Sequence, residues 1–158
     1  MKTTLRLLLS AVLFWALLPA GCSDGGSGGA TDETVVGPEG GTVVGPDDSK
    51  LEIPEGALSE KVAFSIEKTA VGEVDFKKVG PAYEFRPHGT QFAKPVKATV
   101  PYEVDRAAGR EDEIRVYWAD EIAGPFERLE GTVDTSKKTA TGLMLHLSYG
   151  IAGLENAS

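Results

Sequence analysis

The chain predicts an all-β protein, an antiparallel β-sandwich of short strands, and three observations lead there. Apolar residues recur at every second position in several runs, the period of a strand with one buried face. Turn signals separate those runs at the roughly 8–12-residue spacing of a sandwich: Gly37-Pro38, Gly40-Gly41, Gly45-Pro46-Asp47-Asp48, Gly80-Pro81, Pro87-His88-Gly89, Gly124-Pro125 and Asp134-Thr135-Ser136-Lys137. Helical signals are scarce. The one candidate, residues 103–112, holds Ala107-Ala108 but then Gly109, enough for a loop with at most one turn.

The chain opens with Lys2 and Arg6, followed by an apolar run over residues 7–18 that is too short to span a membrane and suits a secretory signal. That run ends in Leu18-Pro19-Ala20-Gly21-Cys22, which resembles the lipobox of bacterial lipoproteins. There, signal peptidase II cuts before a cysteine that has received a diacylglycerol on its sulfur. Cys22 is the single cysteine of the sequence, so it has no intramolecular disulfide partner, and lipidation gives the unpaired thiol a role. Residues 1–21 are therefore expected to be the signal peptide and Cys22 the lipidation site. Each buried methylene contributes about 0.8 kcal/mol, so several acyl chains hold a protein firmly on a membrane. In the familiar sorting rule an Asp directly after the cysteine retains a lipoprotein in the inner membrane. Ser23 stands there, and Asp24 follows, so the resemblance implies the outer membrane.

Residues 22–32 combine the lipidated cysteine with a Gly/Ser-rich stretch that has almost nothing to bury, the composition of a flexible linker. Loss of residues 1–21, which carry Lys2 and Arg6 and no acid, takes the formal charge from −8 to −10. A charge balance of that kind argues against nucleic acid and against adhesion to anionic lipid, both of which need a basic face. Residues 33–153, roughly 120 residues, suffice for one domain with its own core, and residues 154–158 are read as a short tail.

Within that domain Val62, Phe64 and Ile66 alternate with Ala63, Ser65 and Glu67, and Val96, Ala98 and Val100 alternate with Lys97 and Thr99. Ile114, Val116 and Trp118 alternate likewise, as do Leu143, Leu145, Leu147 and Tyr149. The expected core accordingly includes Ile53, Phe64, Ile66, Phe85, Val100, Val116, Trp118, Leu145 and Leu147.

Several uncommon segments fall in an order that resembles the ZU5 domain of ankyrins, netrin receptors and death-domain adaptors. They are Gly40-Gly41-Thr42-Val43, Leu51-Glu52-Ile53-Pro54-Glu55-Gly56-Ala57-Leu58, Pro87-His88-Gly89-Thr90-Gln91-Phe92-Ala93-Lys94-Pro95-Val96, and His146-Leu147-Ser148-Tyr149. The resemblance covers residues 33–151. Each segment also makes physical sense. Ile53-Pro54 ends a strand whose next amide need not pair, Gly56 allows a tight reversal, and Pro87 and Pro95 are expected to bracket a corner between two strands. The resemblance implies a β-sandwich that serves as an interaction or regulatory module. Ankyrin's ZU5 domain engages spectrin through basic residues; here only Lys77-Lys78 and Lys137-Lys138 are paired, so that partner does not carry over.

Few residues suggest chemistry. Some ZU5-containing proteins cut themselves inside a His-Phe-Ser segment, and adhesion-receptor domains do so within His-Leu-Ser or His-Leu-Thr, so His146 and Ser148 are weighed as an autoproteolytic pair cutting Leu147-Ser148. The imidazole would act as general base and the hydroxyl would attack the preceding carbonyl, assisted by peptide strain. Two residues apart on one strand, the side chains would share a face. The plainer expectation is that Leu145 and Leu147 fill the core, that His146 and Ser148 face outward, and that a flat strand protects the bond. His88, in the proline-flanked turn, is expected to be a hydrogen-bonded turn histidine. Neither Asp47-Asp48 nor Glu111-Asp112-Glu113 fits a calcium-loop pattern, no third ligand joins the two histidines at metal spacing, and the glycines lack the order of a phosphate-binding loop. No metal or cofactor is therefore expected. Trp118 and Tyr117, adjoining Phe126, suggest a sugar-stacking platform, but alternation places Trp118 with Ile114 and Val116 in the core.

The expected function is thus that of a membrane-tethered, non-enzymatic module of the bacterial cell envelope that binds another envelope or extracellular protein. The alternatives are a carbohydrate- or cell-wall-binding sandwich and the self-cleaving module.

Overall fold

A computed structural model describes residues 32–156; the expected lipidation site Cys22, the expected signal peptide before it and the expected linker up to Asp32 lie, but for Asp32, outside the described residues. The strands are β1 (Thr34–Val36), β2 (Gly41–Val44), β3 (Lys50–Ile53), β4 (Val62–Thr69), β5 (Lys77–Arg86), β6 (Gln91–Pro101), β7 (Arg115–Ala119), β8 (Glu127–Arg128), β9 (Gly131–Asp134), β10 (Thr139–His146) and β11 (Tyr149–Leu154). They form two antiparallel sheets. One has six strands in the order β1-β4-β5-β11-β7-β8, the other five in the order β2-β3-β6-β10-β9. The fold is an all-β sandwich, as the alternation and turn spacing predict. Among the described residues, helix is confined to the single turn α1 (Val104–Ala107) in the 103–112 stretch and to two 3-10 turns, at Pro46–Asp48 and Glu111–Glu113.

One main core lies between the sheets and includes Leu51, Phe64, Tyr83, Phe85, Val96, Val100, Val116 and Trp118. Eight of the nine residues expected there are buried: Ile53, Phe64, Ile66, Phe85, Val100, Val116, Trp118 and Leu147. Leu145 is the exception, 50% exposed, and its neighbour Leu143 is 44% exposed. The inward positions of β10 are Ala140 and Met144, out of phase with the leucines. The ladder between β10 and β6 then shifts between Met144 and His146, and the altered phase brings Leu147 into the core.

Gly56 has φ +74, the left-handed backbone its turn requires, and its N–H donates to the Pro38 carbonyl (2.8 Å), so the reversal after Pro54 ties the β1–β2 and β3–β4 connections together. Pro95 departs from expectation. It lies inside β6, where the ladder to β10 is interrupted, and a proline is accommodated there because no ladder hydrogen bond is required of it. A smaller cluster on the other face of the six-stranded sheet joins Phe76, Ala82, Tyr117 and Ile151. Leu154, assigned to the tail by sequence, is the last residue of β11 and fully buried.

Candidate functional site

The chain changes sheets at Leu147 and Ser148. β10 belongs to the five-stranded sheet and ends at His146, while β11 begins at Tyr149 in the middle of the six-stranded sheet. The continuous strand expected from Leu143 through Tyr149 is therefore two strands and a corner, because each half pairs with a different sheet. Neighbouring backbone holds that corner. Leu147 N–H donates to the Thr90 carbonyl (3.1 Å), Gly89 N–H donates to the Leu147 carbonyl (3.1 Å), and Phe85 N–H donates to the Ser148 carbonyl (2.8 Å). The Pro87-His88-Gly89-Thr90 segment thus docks on the crossing.

His146 and Ser148 both meet Asp120. His146 Nε2 lies 2.6 Å from Asp120 Oδ1, and Ser148 Oγ donates to the Asp120 backbone carbonyl at 2.6 Å. Tyr149 lies opposite Ala119 in the β7–β11 ladder, which brings Asp120 beside the crossing. Ser148 does not face outward as expected; it is 2% exposed. His146 is half-buried, with its partner carboxylate largely in solvent. The histidine and serine are thus gathered on one residue, but the hydroxyl proton is directed at a carbonyl oxygen and not at an imidazole nitrogen. The Leu147 carbonyl does receive one N–H donor, from Gly89, the kind of contact an oxyanion requires.

His88, expected to be a hydrogen-bonded turn histidine, places Nε2 3.0 Å from Glu84 Oε1, and its ring meets Tyr149 edge-on at 4.7 Å. The same Glu84 oxygen lies 3.0 Å from Arg86 Nη2 and accepts from the Tyr149 hydroxyl at 3.4 Å, so a deeply set carboxylate is matched by three polar neighbours. Asp47 pairs with Lys68 and accepts from the hydroxyl of Tyr83 (3.0 Å), whose ring is wholly buried. The Lys68 contact holds the Asp47 carboxyl below its ordinary range, with the Tyr83 bond adding to it; burial and that same bond push the Tyr83 hydroxyl up. Glu113 is held low by Arg110, and Asp134 chiefly by the backbone N–H of Lys137. Among the described residues no three His, Asp or Glu side chains gather in a way that would hold a metal ion.

Trp118 is a core residue, tilted against Phe85 with ring centroids 5.2 Å apart, and Tyr117 points to the opposite face to stack on Phe76 at 3.8 Å. Phe126 meets Phe76 edge-on. The three aromatics adjacent in sequence or turn therefore present no shared stacking platform. Beside them the sandwich opens. After β8 the chain leaves β7 and joins β10 as β9, and Leu129 N–H donates to the Val116 carbonyl on one sheet while Leu143 N–H donates to the Glu130 carbonyl on the other. A cleft remains between β8 and the end of β10. One hollow, of about 390 Å³, is bounded by Asp120, Glu121, Pro125, Glu127, His146 and the edge of Trp118. It continues along Leu129, Leu143 and Leu145 to Pro95. The Trp118 Nε1–H is buried there without an acceptor. Sequence reasoning missed Asp120, Glu127 and the exposed leucines, because the cleft is made by strand pairings that no local pattern announces.

No protein-family model matches the chain, and no curated protein sequence matches it.

Proposed function

We propose that the protein is a lipid-anchored, non-enzymatic, ZU5-like interaction module of the bacterial cell envelope, held at Cys22 and binding another envelope or extracellular protein. The observation that carries this reading is the lone cysteine in a lipobox-like segment, followed in the sequence by residues that fold, where described, as one β-sandwich. Support for the non-enzymatic character comes from Asp120, which engages both His146 and Ser148 and leaves the hydroxyl without a base. Ser23 after the cysteine supports the outer membrane. The burial of Trp118 and Tyr117 removes the support that adjacent aromatics lent to carbohydrate binding. Self-cleavage at Leu147-Ser148 is the second reading, favoured by the position of that bond at the sheet crossing with the Gly89 N–H on the Leu147 carbonyl.

The test is to express Cys22→Ser and fractionate the cells. The wild-type chain is expected in the membrane fraction as the processed form, and the variant as soluble or unprocessed protein. A variant that still fractionates as mature membrane protein would refute the anchor.

A further inference from the structure

The cleft between β8 and β10 offers a strand an incomplete ladder. β9 pairs with β10 only as far as Gly142 opposite Gly131, and β8 pairs only with β7, so no described strand lies beside Met144, Leu145 and His146 on that flank. Leu145 is also passed over on the other side, where the register to β6 jumps from Met144 opposite Val96 to His146 opposite Gln91. An interior strand with one flank open over three residues can accept a neighbour through main-chain hydrogen bonds. Its side chains are apolar at the surface: Leu143 and Leu145 stand 44% and 50% exposed, with Pro95 and Leu129 beside them.

Charge indicates what kind of strand fits. Glu121, Glu127 and Glu130 border the cleft and take part in no ion pair among the described residues. Asp120 adds a fourth carboxylate, paired with His146. Arg128 lines the cleft as well, and Lys97 lies opposite Leu143 on β6, so two cations stand against four acids. Exposed like charges of this density repel one another and attract a basic segment, and the attraction weakens as salt screens it.

We propose that the open flank of β10 at Met144, Leu145 and His146 receives an extended segment of a partner protein in which apolar residues alternate with Lys or Arg. Main-chain bonds to β10 hold the segment, its apolar side chains cover Leu143 and Leu145, and its cations meet Glu127, Glu130 and Asp120. The assignment rests on the reading of the domain as an interaction module, for which it supplies the surface and the chemistry of the partner.

The probes are three capped heptapeptides: alternating Val and Lys, the same with Glu for Lys, and the Lys form with proline at the centre. Each is titrated calorimetrically into the full chain in detergent. The Val/Lys peptide is expected to bind at least tenfold more tightly than either of the others, and to weaken at least tenfold in Leu145→Lys and in Leu143→Lys, both exposed positions. Equal binding of the Lys and Glu peptides, unaltered binding in both variants, or no binding of any peptide would overturn the assignment. A photo-crosslinking residue placed in the native envelope at position 145, or at position 44 on the far edge strand β2, separates the site from the underlying reading. Adducts at 44 alone would overturn the site and leave the module standing, while adducts at neither would overturn the module itself. An adduct at 145 that proves to be a second copy of this chain would also overturn the assignment.

Discussion

Replacing Leu147 and Leu145 separately by alanine tests the sheet crossing, since the two leucines are two residues apart and fall in opposite environments. Leu147 is fully buried at the corner between β10 and β11, and Leu145 is half in solvent. Truncating a buried leucine removes its transfer free energy and leaves a cavity the surroundings only partly close, about 2–5 kcal/mol. At Leu145 no closed cavity forms. Full burial of a leucine contributes about 1.5–3 kcal/mol, so the half-buried side chain contributes about 0.8–1.5 kcal/mol. For a domain of this size each kcal/mol moves the melting temperature by roughly 3–5 °C. Leu147→Ala is thus expected to lower it by about 6–25 °C, a large part of the stability of a small domain, and Leu145→Ala by about 2–8 °C, the smaller of the two losses. Met144→Ala, at an inward position, should resemble Leu147→Ala. Thermal and urea unfolding followed by circular dichroism measure both quantities, with an unchanged urea slope showing that the two-state comparison holds. Equal losses at 145 and 147, or a neutral Met144→Ala, would show that the leucines share one face of a continuous strand and that the crossing is misplaced.

The purified domain is expected to remain a single intact chain, because Ser148 Oγ donates to the Asp120 carbonyl and not to His146; intact mass spectrometry under denaturing conditions checks this, and a fragment beginning at Ser148 that disappears in Ser148→Ala would establish self-cleavage. Acid should destabilise the fold in a definite window. Asp47, Glu113 and Asp134 are all held below their ordinary values of 3.8, 4.5 and 3.8, so the stability they contribute is complete above that range and is lost as the pH falls through their lowered folded values. Urea midpoints measured from pH 7 to pH 3 should be flat at first and then decline, and Asp47→Asn should be less stable than wild type at pH 7 with a shallower decline; parallel curves for the two proteins would assign the acid sensitivity elsewhere.

Much of the sandwich is legible in the sequence because its strands keep one face inward for their whole length. Phe64 and Ile66 on β4, and Val96, Ala98 and Val100 on β6, show this directly, and Gly56 marks the turn its positive φ requires. The last hairpin-like segment misleads for a physical reason. Leu143, Leu145 and Leu147 alternate as a single strand would, yet the pattern spans a register shift and a change of sheet, and periodicity carries no information about which partner a strand finds. The candidate site is illegible for the same cause. Asp120 lies 26 residues before His146, in a turn without any motif, and only the pairing of β7 with β11 brings them together.

The position of β11 bears on how the chain is made. It is the last strand in sequence order, yet it lies between β5 and β7, and without it the six-stranded sheet falls into two fragments, β1-β4-β5 and β7-β8, each with an open edge. Pairings between strands so distant along the chain close slowly, since loop entropy must be overcome before any contact forms. Until residues 149–154 emerge from the ribosome, no partial structure can complete the core. A chain truncated before Tyr149 would therefore leave the facing edges of β5 and β7 unpaired together.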